Sequence, residues 1–206
     1  MKMNKIKLLM LSVFTAAIFT GCVDDDTDTR LPDYTPVVFG EDFETNAVDN
    51  EILAIDGWLN YAQDGTAVWK WQYFGQNNYA EFSSFLSGNL VNTAWLITPA
   101  ITLSETENQK LLFQVSQSYV SDPANSLEAL ISSDFDGTNV EAASWQSLPA
   151  LIPGTSATYF AFQSAGEIDL SAFDGPVYIA FKVKGSGTNT GLDGSYQIDN
   201  VRIINK

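Results

Sequence analysis

Apolar and polar residues alternate along much of the chain after residue 36. In the run 177–184, one face of an extended chain would carry four apolar residues: Val177, Ile179, Phe181 and Val183. The opposite face would carry Tyr178, Ala180, Lys182 and Lys184. A period of two is typical of a β-strand with one face in the core and one in solvent. Similar runs predict strands at residues 79–85, 110–116 and 196–203.

Turn-forming dipeptides separate these runs, and helical periodicity is nearly absent. Asp136-Gly137, Pro153-Gly154 and Asp193-Gly194 are examples of this punctuation. About ten short strands with apolar, aromatic-rich faces predict an all-β fold, an antiparallel β-sandwich of the jelly-roll type. We place this domain at residues 37–206, about 170 residues, which is a normal size for one domain with its own core.

The N-terminal segment has a different pattern. Three lysines at positions 2, 5 and 7 accompany an apolar run that extends from Ile6 to Phe19 and is followed by Thr20-Gly21-Cys22. This run is too short to span a bilayer, but a basic start, an apolar stretch and small residues before a cysteine are typical of a lipoprotein signal. We therefore predict a signal peptide at residues 1–21 and lipidation of Cys22, so that acyl chains tether the protein to a membrane.

The charge of the chain limits its partners. After Cys22 there are 7 basic and 25 acidic residues, a net charge of −18. Such a chain repels phosphate backbones, so we expect no nucleic-acid partner. Residues 22–36 read as an acidic tether, and their Asp24-Asp25-Asp26 cluster resembles the export signal of some Gram-negative lipoproteins. This resemblance predicts an outer-membrane location that faces the cell exterior.

The residue inventory excludes several kinds of chemistry. The chain has no histidine, which rules out a Ser-His-Asp triad, a histidine-based zinc centre and a haem histidine ligand. Its one cysteine, Cys22, is assigned to the lipid anchor. Catalysis would then depend on paired carboxylates, as in glycoside hydrolases, and Glu81 and Glu128 are candidates. Alternation more simply places Glu81 on the solvent face of its strand.

Several short motifs resemble a known family. They include Glu41-Asp42-Phe43-Glu44, Gly57-Trp58, Trp95-Leu96-Ile97-Thr98-Pro99, Ile168-Asp169-Leu170-Ser171 and a closing Ile198-Asp199-Asn200-Val201. Together they resemble the choice-of-anchor J family, which is related to the cleaved adhesin domains of gingipains and to MAM domains. The resemblance covers nearly all of the domain. It implies a galactose-binding-like jelly roll on a surface protein, without catalytic activity, that binds glycans or proteins.

The same resemblance implies a structural calcium ion as cofactor. In jelly rolls of this type the first and last strands lie side by side, which would bring the corner at Asp42 and Glu44 close to Asp199. Calcium binds six to eight hard oxygen ligands, and carboxylates supply them. We therefore predict Glu44, Asp199 and Asp42 as metal ligands. The alternative is that these carboxylates lie apart or accept hydrogen bonds within turns.

An aromatic cluster gives the candidate ligand site. Trp69, Trp71 and Tyr73 would share one face of a strand, and we expect Trp69 to lie in the core. Trp71 and Tyr73 are nearer to a loop, so we expect them to be exposed. Apolar walls with a few polar groups suit a binding pocket. The predicted ligand-binding residues are Trp71, Tyr73, Asn77, Asn78 and Tyr119.

The sequence thus favours a surface-anchored binding module that is not an enzyme. Its partners would be the membrane, through the lipid anchor, and a glycan or an extracellular protein. Two alternatives remain open. One is a structural or adhesive lipoprotein that docks a neighbour through an exposed apolar patch, and the other is a carboxylate-dependent glycoside hydrolase.

Overall fold

The computed structural model describes residues 35–104 and 107–206. The predicted signal peptide, Cys22 and all of the tether before Thr35 lie outside the described residues. Within the described residues the chain forms thirteen β-strands and one short 3-10 turn, Val140–Ala142. The strands are β1 Val37–Glu41, β2 Leu59–Asp64, β3 Lys70–Phe74, β4 Asn77–Ser83, β5 Asn92–Ile97, β6 Ile101–Leu103, β7 Gln109–Ser118, β8 Ser126–Ser132, β9 Gln146–Ser147, β10 Gln163–Ser164, β11 Ile168–Asp169, β12 Gly175–Gly185 and β13 Ser195–Asn205.

The strands form two antiparallel sheets. Sheet A has the order β10-β7-β13-β4-β3, with β1 beside β13 and β11 beside β7. Its central strand, β13, pairs with β4 along Ser195–Ile198 and with β1 along residues 201–204. Sheet B has the order β2-β5-β12-β8-β9, with β6 also beside β12. The fold is the predicted antiparallel β-sandwich of the jelly-roll type.

The core lies between the two sheets. Four alternate residues of β12 are fully buried, namely Val177, Ile179, Phe181 and Val183. Phe181 meets Phe113 of β7 edge to face at 5.0 Å between ring centroids, so this contact joins sheet B to sheet A. Burying one such side chain contributes about 1.5–3 kcal/mol. The alternation that predicted these strands therefore also selects the residues that hold the sheets together.

The outer face of sheet B differs from the prediction. The sequence predicts that Ala180 faces solvent, but it is fully buried, and Trp95 of β5 is only 4% exposed. The connection between β8 and β9 causes this difference, because Phe135 and Trp145 fold back over the sheet. The ring centroids of Trp145 and Trp95 are 5.3 Å apart, and those of Phe135 and Tyr178 are 4.9 Å apart. A second, smaller apolar cluster thus covers this face.

The described residues contain no helix that is long and apolar enough to cross a membrane.

Candidate ligand-binding groove

A groove of about 1270 Å³ lies on the outer face of sheet A. Alternation along β4 explains which side chains reach it. Ala80 and Phe82 point into the core, whereas Tyr79, Glu81 and Ser83 line the groove. The strands β3, β4, β13 and β7 are adjacent in that order and form its floor. Three inter-strand spacings make this floor about 14 Å wide.

A hydrogen-bond network fixes the polar centre of the floor. The Nε2 of Gln197 donates to Oε2 of Glu81 at 2.8 Å and to Oγ of Ser118 at 3.1 Å. The Oγ of Ser116 donates to Oε1 of Gln197 at 2.7 Å. Since an ionised carboxylate can only accept, the amide nitrogen of Gln197 must face Glu81. Gln197 is fully buried, so the network holds the Glu81 carboxylate in one position.

The position of Glu81 makes its charge costly. Burial raises the pKa of the Glu81 carboxyl, and the charge of Asp49 raises it further. The hydrogen bond from Gln197 and the charge of Lys70 lower the pKa, but together by less than burial and Asp49 raise it. Glu81 is half-buried and therefore still accessible from the groove. A hydrogen-bond donor on a ligand would stabilise the charged form.

Three aromatic side chains form one wall of the groove. Tyr119 follows β7, and its ring centroid lies 4.8 Å from that of Tyr159 and 6.3 Å from that of Phe160. All three are exposed, by 62%, 46% and 45% respectively. Tyr119 and Phe160 both have a φ of 59°, an uncommon value for residues other than glycine. Such backbone strain persists only where the surroundings enforce it, and it is common at binding sites.

Two loops position this wall. The backbone NH of Phe160 donates to the carbonyl of Gln117 at 2.9 Å, which ties the 154–162 segment to β7. Gly194 packs directly against the backbone of Tyr119 and Val120, where a Cβ would approach the Val120 nitrogen to 2.6 Å. Only glycine permits this close approach. The loop that ends at Gly194 also places Thr190 and Asp193 along the groove.

The other walls are also aromatic. Tyr73 and Phe74, at the hairpin that joins β3 to β4, are 51% and 76% exposed, and Phe85 is 60% exposed. Tyr79 lies below them, where Phe162 covers it edge to face at 5.4 Å. Burial together with the charge of Glu81 raises the pKa of Tyr79 to about 12, so this phenol remains neutral. Six exposed aromatic residues therefore surround a polar floor.

Only two of the five predicted ligand-binding residues line the groove. Tyr73 is exposed as predicted, Tyr119 is exposed as well, and both line the groove. The prediction that Trp71 is exposed is wrong, since this side chain is 6% exposed and belongs to the core with Trp69. Trp71 lies two residues after Trp69 along an extended chain, so both side chains point into the core. Residues 50 and 51 pair with the backbone of Trp71 along the edge of β3. The NH of Asn50 donates to the Trp71 carbonyl at 2.9 Å.

Asn77 and Asn78 lie outside the lining of the groove and bind carboxylates instead. The Nδ2 of Asn77 donates to Oδ2 of Asp199 at 2.9 Å. Asn78 donates to Glu44 twice, from its backbone N at 2.9 Å and from its Nδ2 at 2.6 Å. Two predicted ligand-binding residues therefore hold two of the predicted metal ligands in place.

The predicted metal ligands lie in one corner of sheet A. The first and last strands pair as expected, with Glu41 opposite Val201. Burial raises the pKa of Asp199, with smaller contributions from the charges of Glu44 and Asp42. Among the described residues, however, no group of three or more acidic, histidine or cysteine side chains could hold a metal ion. The calcium ion therefore stays a prediction.

The carboxylates do not form the hydrolase pair considered from the sequence. Glu81 lies on the outer face of sheet A, whereas Glu128 belongs to β8 and lies on the outer face of sheet B. The two sheets of a sandwich pack about 10 Å apart, so carboxylates on their opposite outer faces are separated by more than the about 5–9.5 Å between glycosidase carboxyl groups.

Sequence reasoning missed four of the six exposed aromatic residues of the groove, namely Phe74, Phe85, Tyr159 and Phe160. Alternation predicts Phe85 as the end of a strand, and Tyr159 and Phe160 lie in a segment without periodicity. The signal available for the last two is their presence between turn residues, since large aromatic residues in an irregular segment must either pack on the domain or remain exposed. The polar partner Gln197 was also missed, because its contact with Glu81 joins residues 116 positions apart.

Known structures resemble this fold at low sequence identity. No protein-family model matches the chain, and no curated protein matches it. A cleaved adhesin domain of Lys-gingipain from Porphyromonas gingivalis is 18% identical, with a TM-score of 0.51 over 82% of this chain and 98% of that one. Another Lys-gingipain adhesin domain is 16% identical, with a TM-score of 0.51 over 80% and 96%. A xylan-binding domain from Paenibacillus barcinonensis is 12% identical, with a TM-score of 0.47 over 84% and 96%. At these identities the likeness to the two adhesin domains establishes the fold alone.

Proposed function

We propose that the protein is a non-catalytic recognition module that binds a glycan chain in the groove of sheet A. The observation that carries this proposal is the ring of exposed aromatic side chains around a floor of carboxylate and hydroxyl groups. Apolar faces of sugar rings pack against aromatic side chains, while sugar hydroxyls exchange hydrogen bonds with Glu81 and the floor serines. Apolar walls with a few fixed polar groups are typical of binding sites.

The size of the groove favours a chain over a single sugar. Its volume of about 1270 Å³ exceeds the roughly 300–1,000 Å³ of most small-molecule sites. Aromatic residues stand on both sides of a floor about 14 Å wide, which is too wide for one ring to touch both walls. We therefore infer an oligosaccharide segment as the ligand.

The location of the protein and its family are part of the proposal. We propose a lipoprotein that Cys22 anchors to the outer membrane, displayed on the cell exterior, and related to the choice-of-anchor J family. The gingipain adhesin likeness supports a shared fold. Mass spectrometry of the mature N-terminus tests the anchor: an acylated Cys22 is expected, and an unmodified Cys22 would contradict it.

Binding to a broad glycan array tests the function. The wild-type protein should bind at least one oligosaccharide, and Tyr119→Ala should weaken that binding because it removes one wall of the groove. Tyr61→Ala, on the outer face of sheet B, is the matched control. Assays for new reducing ends should detect no cleavage of the bound glycan. Absence of binding to every glycan would overturn the proposal, and cleavage would overturn its non-catalytic part.

A protein-docking role is the second candidate, and the loop between β4 and β5 favours it. This loop exposes four apolar side chains: Phe85, Leu86, Leu90 and Val91. Leu86 is 80% exposed and Leu90 is 76% exposed, as in surfaces that contact other proteins. Under this alternative, the double substitution of Leu86 and Leu90 by Asn would abolish adhesion of whole cells, whereas Tyr119→Ala would not. The reverse result favours the groove.

A further inference from the structure

We propose that the groove selects its ligand by charge: it takes uncharged glycan chains and rejects chains with carboxylate or sulfate groups, with Glu81 as the discriminating residue. This inference rests on the proposed glycan-binding function. Charge selection would give Glu81 a function, whereas the packing of sugar rings on the aromatic walls does not require a carboxylate there.

The charges at the groove are predominantly negative. Glu81 and Asp193 line it, and within the described part of the chain no basic residue does. Asp49 also acts on Glu81, since its charge raises the pKa of that carboxyl. The opposing charge that acts on Glu81 is Lys70, which pairs in register with it from β3 but is solvent-exposed and forms no ion pair within the described residues. An anionic sugar would therefore meet net repulsion.

The hydrogen bonds of Glu81 indicate what the ligand must supply. Its Oε2 accepts from Gln197, whereas its Oε1 accepts no hydrogen bond from the described residues. Because Glu81 is half-buried and its Oε1 is not among the buried unpaired atoms of the described residues, this oxygen is open to the groove and can accept a hydrogen bond from a ligand. Sugar hydroxyls can donate. An ionised carboxylate or sulfate can only accept, so it would place two acceptors and two like charges in contact.

The residues around Glu81 hold its carboxylate in place, so it cannot move away from a ligand carboxylate or sulfate. Gln197 is fully buried and uses its amide nitrogen for Glu81 and Ser118 and its amide oxygen for Ser116. Rotating the Gln197 amide would place its oxygen against the Glu81 carboxylate. The floor is thus fixed before a ligand arrives, and a fixed charge in a partly desolvated groove discriminates more strongly than a mobile surface charge.

The test compares neutral and acidic chains with the same backbone. Binding of β-1,4-linked mannohexaose and of the corresponding hexamannuronate, which differ only by oxidation at C6, is measured together with a wider panel of neutral, uronate and sulfated oligosaccharides. Glu81→Gln retains an acceptor for Gln197, so it removes the charge and keeps the network. Glu128→Gln, a glutamate on the outer face of sheet B, is the matched control.

Wild-type protein should bind neutral chains at least about tenfold more tightly than acidic ones, because like charges in contact repel. Glu81→Gln should reduce this preference about fivefold or more, and Glu128→Gln should leave it unchanged. If Glu81→Gln fails to fold, binding of the wild-type protein to neutral and acidic chains is measured at increasing salt concentration instead. Added salt screens the repulsion between like charges, so it should reduce the preference for neutral chains.

The outcomes separate the two claims. If groove-dependent binding occurs but acidic chains bind as tightly as neutral ones, the charge selection is overturned and the glycan-binding function stands. An unchanged preference in Glu81→Gln would overturn the role of Glu81. If no neutral or acidic glycan in the panel binds, the proposed function fails and the charge selection fails with it.

Discussion

The outer faces of the two sheets use aromatic residues in opposite ways. On sheet B, Trp95, Trp145 and Phe135 pack against one another, and the connection between β8 and β9 closes over them. On sheet A, Tyr73 and Tyr119 stand on opposite sides of an open groove and remain more than half exposed. The same residue types therefore stabilise one face and leave the other free to bind a ligand.

Polar groups explain this difference. Sheet B has apolar side chains such as Leu130 and Ala180 at the centre of its outer face, so a loop can cover it without burying unpaired polar atoms. The corresponding part of sheet A carries Glu81, Gln197 and Ser116. Covering a charged floor with apolar side chains would cost several kcal/mol, so this face stays open to partners that can hydrogen-bond.

The largest expected effect distinguishes the two faces through stability. Phe135→Ala removes a side chain that is 6% exposed from the cluster on sheet B and should lower the free energy of unfolding by about 3 kcal/mol. Phe74→Ala is the matched control at the groove. Because Phe74 is 76% exposed, its loss should change stability by no more than about 0.5 kcal/mol. Chemical denaturation measures both.

Equal losses of stability in these two variants would contradict the contrast between the faces. Glycan binding gives the complementary comparison. Phe135→Ala, measured well below its unfolding midpoint, should bind as the wild-type protein does, and Phe74→Ala should bind more weakly.

The next effect concerns binding alone. Tyr119→Ala removes the residue on which the Tyr159 and Phe160 rings pack, and it should weaken glycan binding about tenfold, or about 1.4 kcal/mol. Isothermal titration calorimetry measures the change. Trp145→Phe, on the other face, should leave affinity unchanged. Full affinity in Tyr119→Ala would show that this wall does not contact the ligand.

Calcium tests whether the acidic corner of sheet A is also a site. If calcium binds near Glu44 and Asp199 with the weak affinity of extracellular modules, about 10⁻⁴–10⁻³ M, then 1 mM calcium should stabilise the domain by about 0.4–1.4 kcal/mol. Thermal unfolding with calcium and with a chelator measures this. Asp199→Asn should abolish the difference. Identical unfolding midpoints of the wild-type protein with and without calcium would contradict the predicted calcium site.

The smallest effect is the pH dependence of Glu81. Because burial raises its pKa in the folded protein, the group contributes stability at acidic pH, below its ordinary pKa of 4.5, and this contribution is lost as the pH rises through the folded-state pKa. Glu81→Gln should therefore match the wild-type protein at pH 4 and be more stable at pH 7, by on the order of 0.5 kcal/mol. Denaturation at both pH values measures the gain. A loss at pH 7 would contradict the desolvation of Glu81.

The fold could be predicted because its signals are local. The alternation in residues 177–184 reflects the two faces of β12, and the residues assigned to the core are those that the structure buries. The same pattern could not predict the cover over Ala180. Alternation shows that a side chain points away from the core, but whether another segment covers it depends on the path of a loop.

The site was predicted less completely for the same reason. Tyr73 and Tyr119 stand out as aromatic residues near strand ends, and both reach the groove. Alternation had placed Trp71 on the same face as Trp69, and both side chains enter the core. Gln197 meets Glu81 because β13 pairs with β4, and this register between distant segments leaves no trace in a single sequence.

The proposed function depends on a ligand that binds on the outer face of sheet A. The position of the ligand can be determined by titrating the isotope-labelled protein with a glycan selected on the array and following the amide chemical shifts. The largest shifts should occur at Glu81, Ser118, Tyr119 and Ser195, which line the groove. Shifts confined to sheet B around Trp95, or to the loop around Leu86 and Leu90, would contradict it.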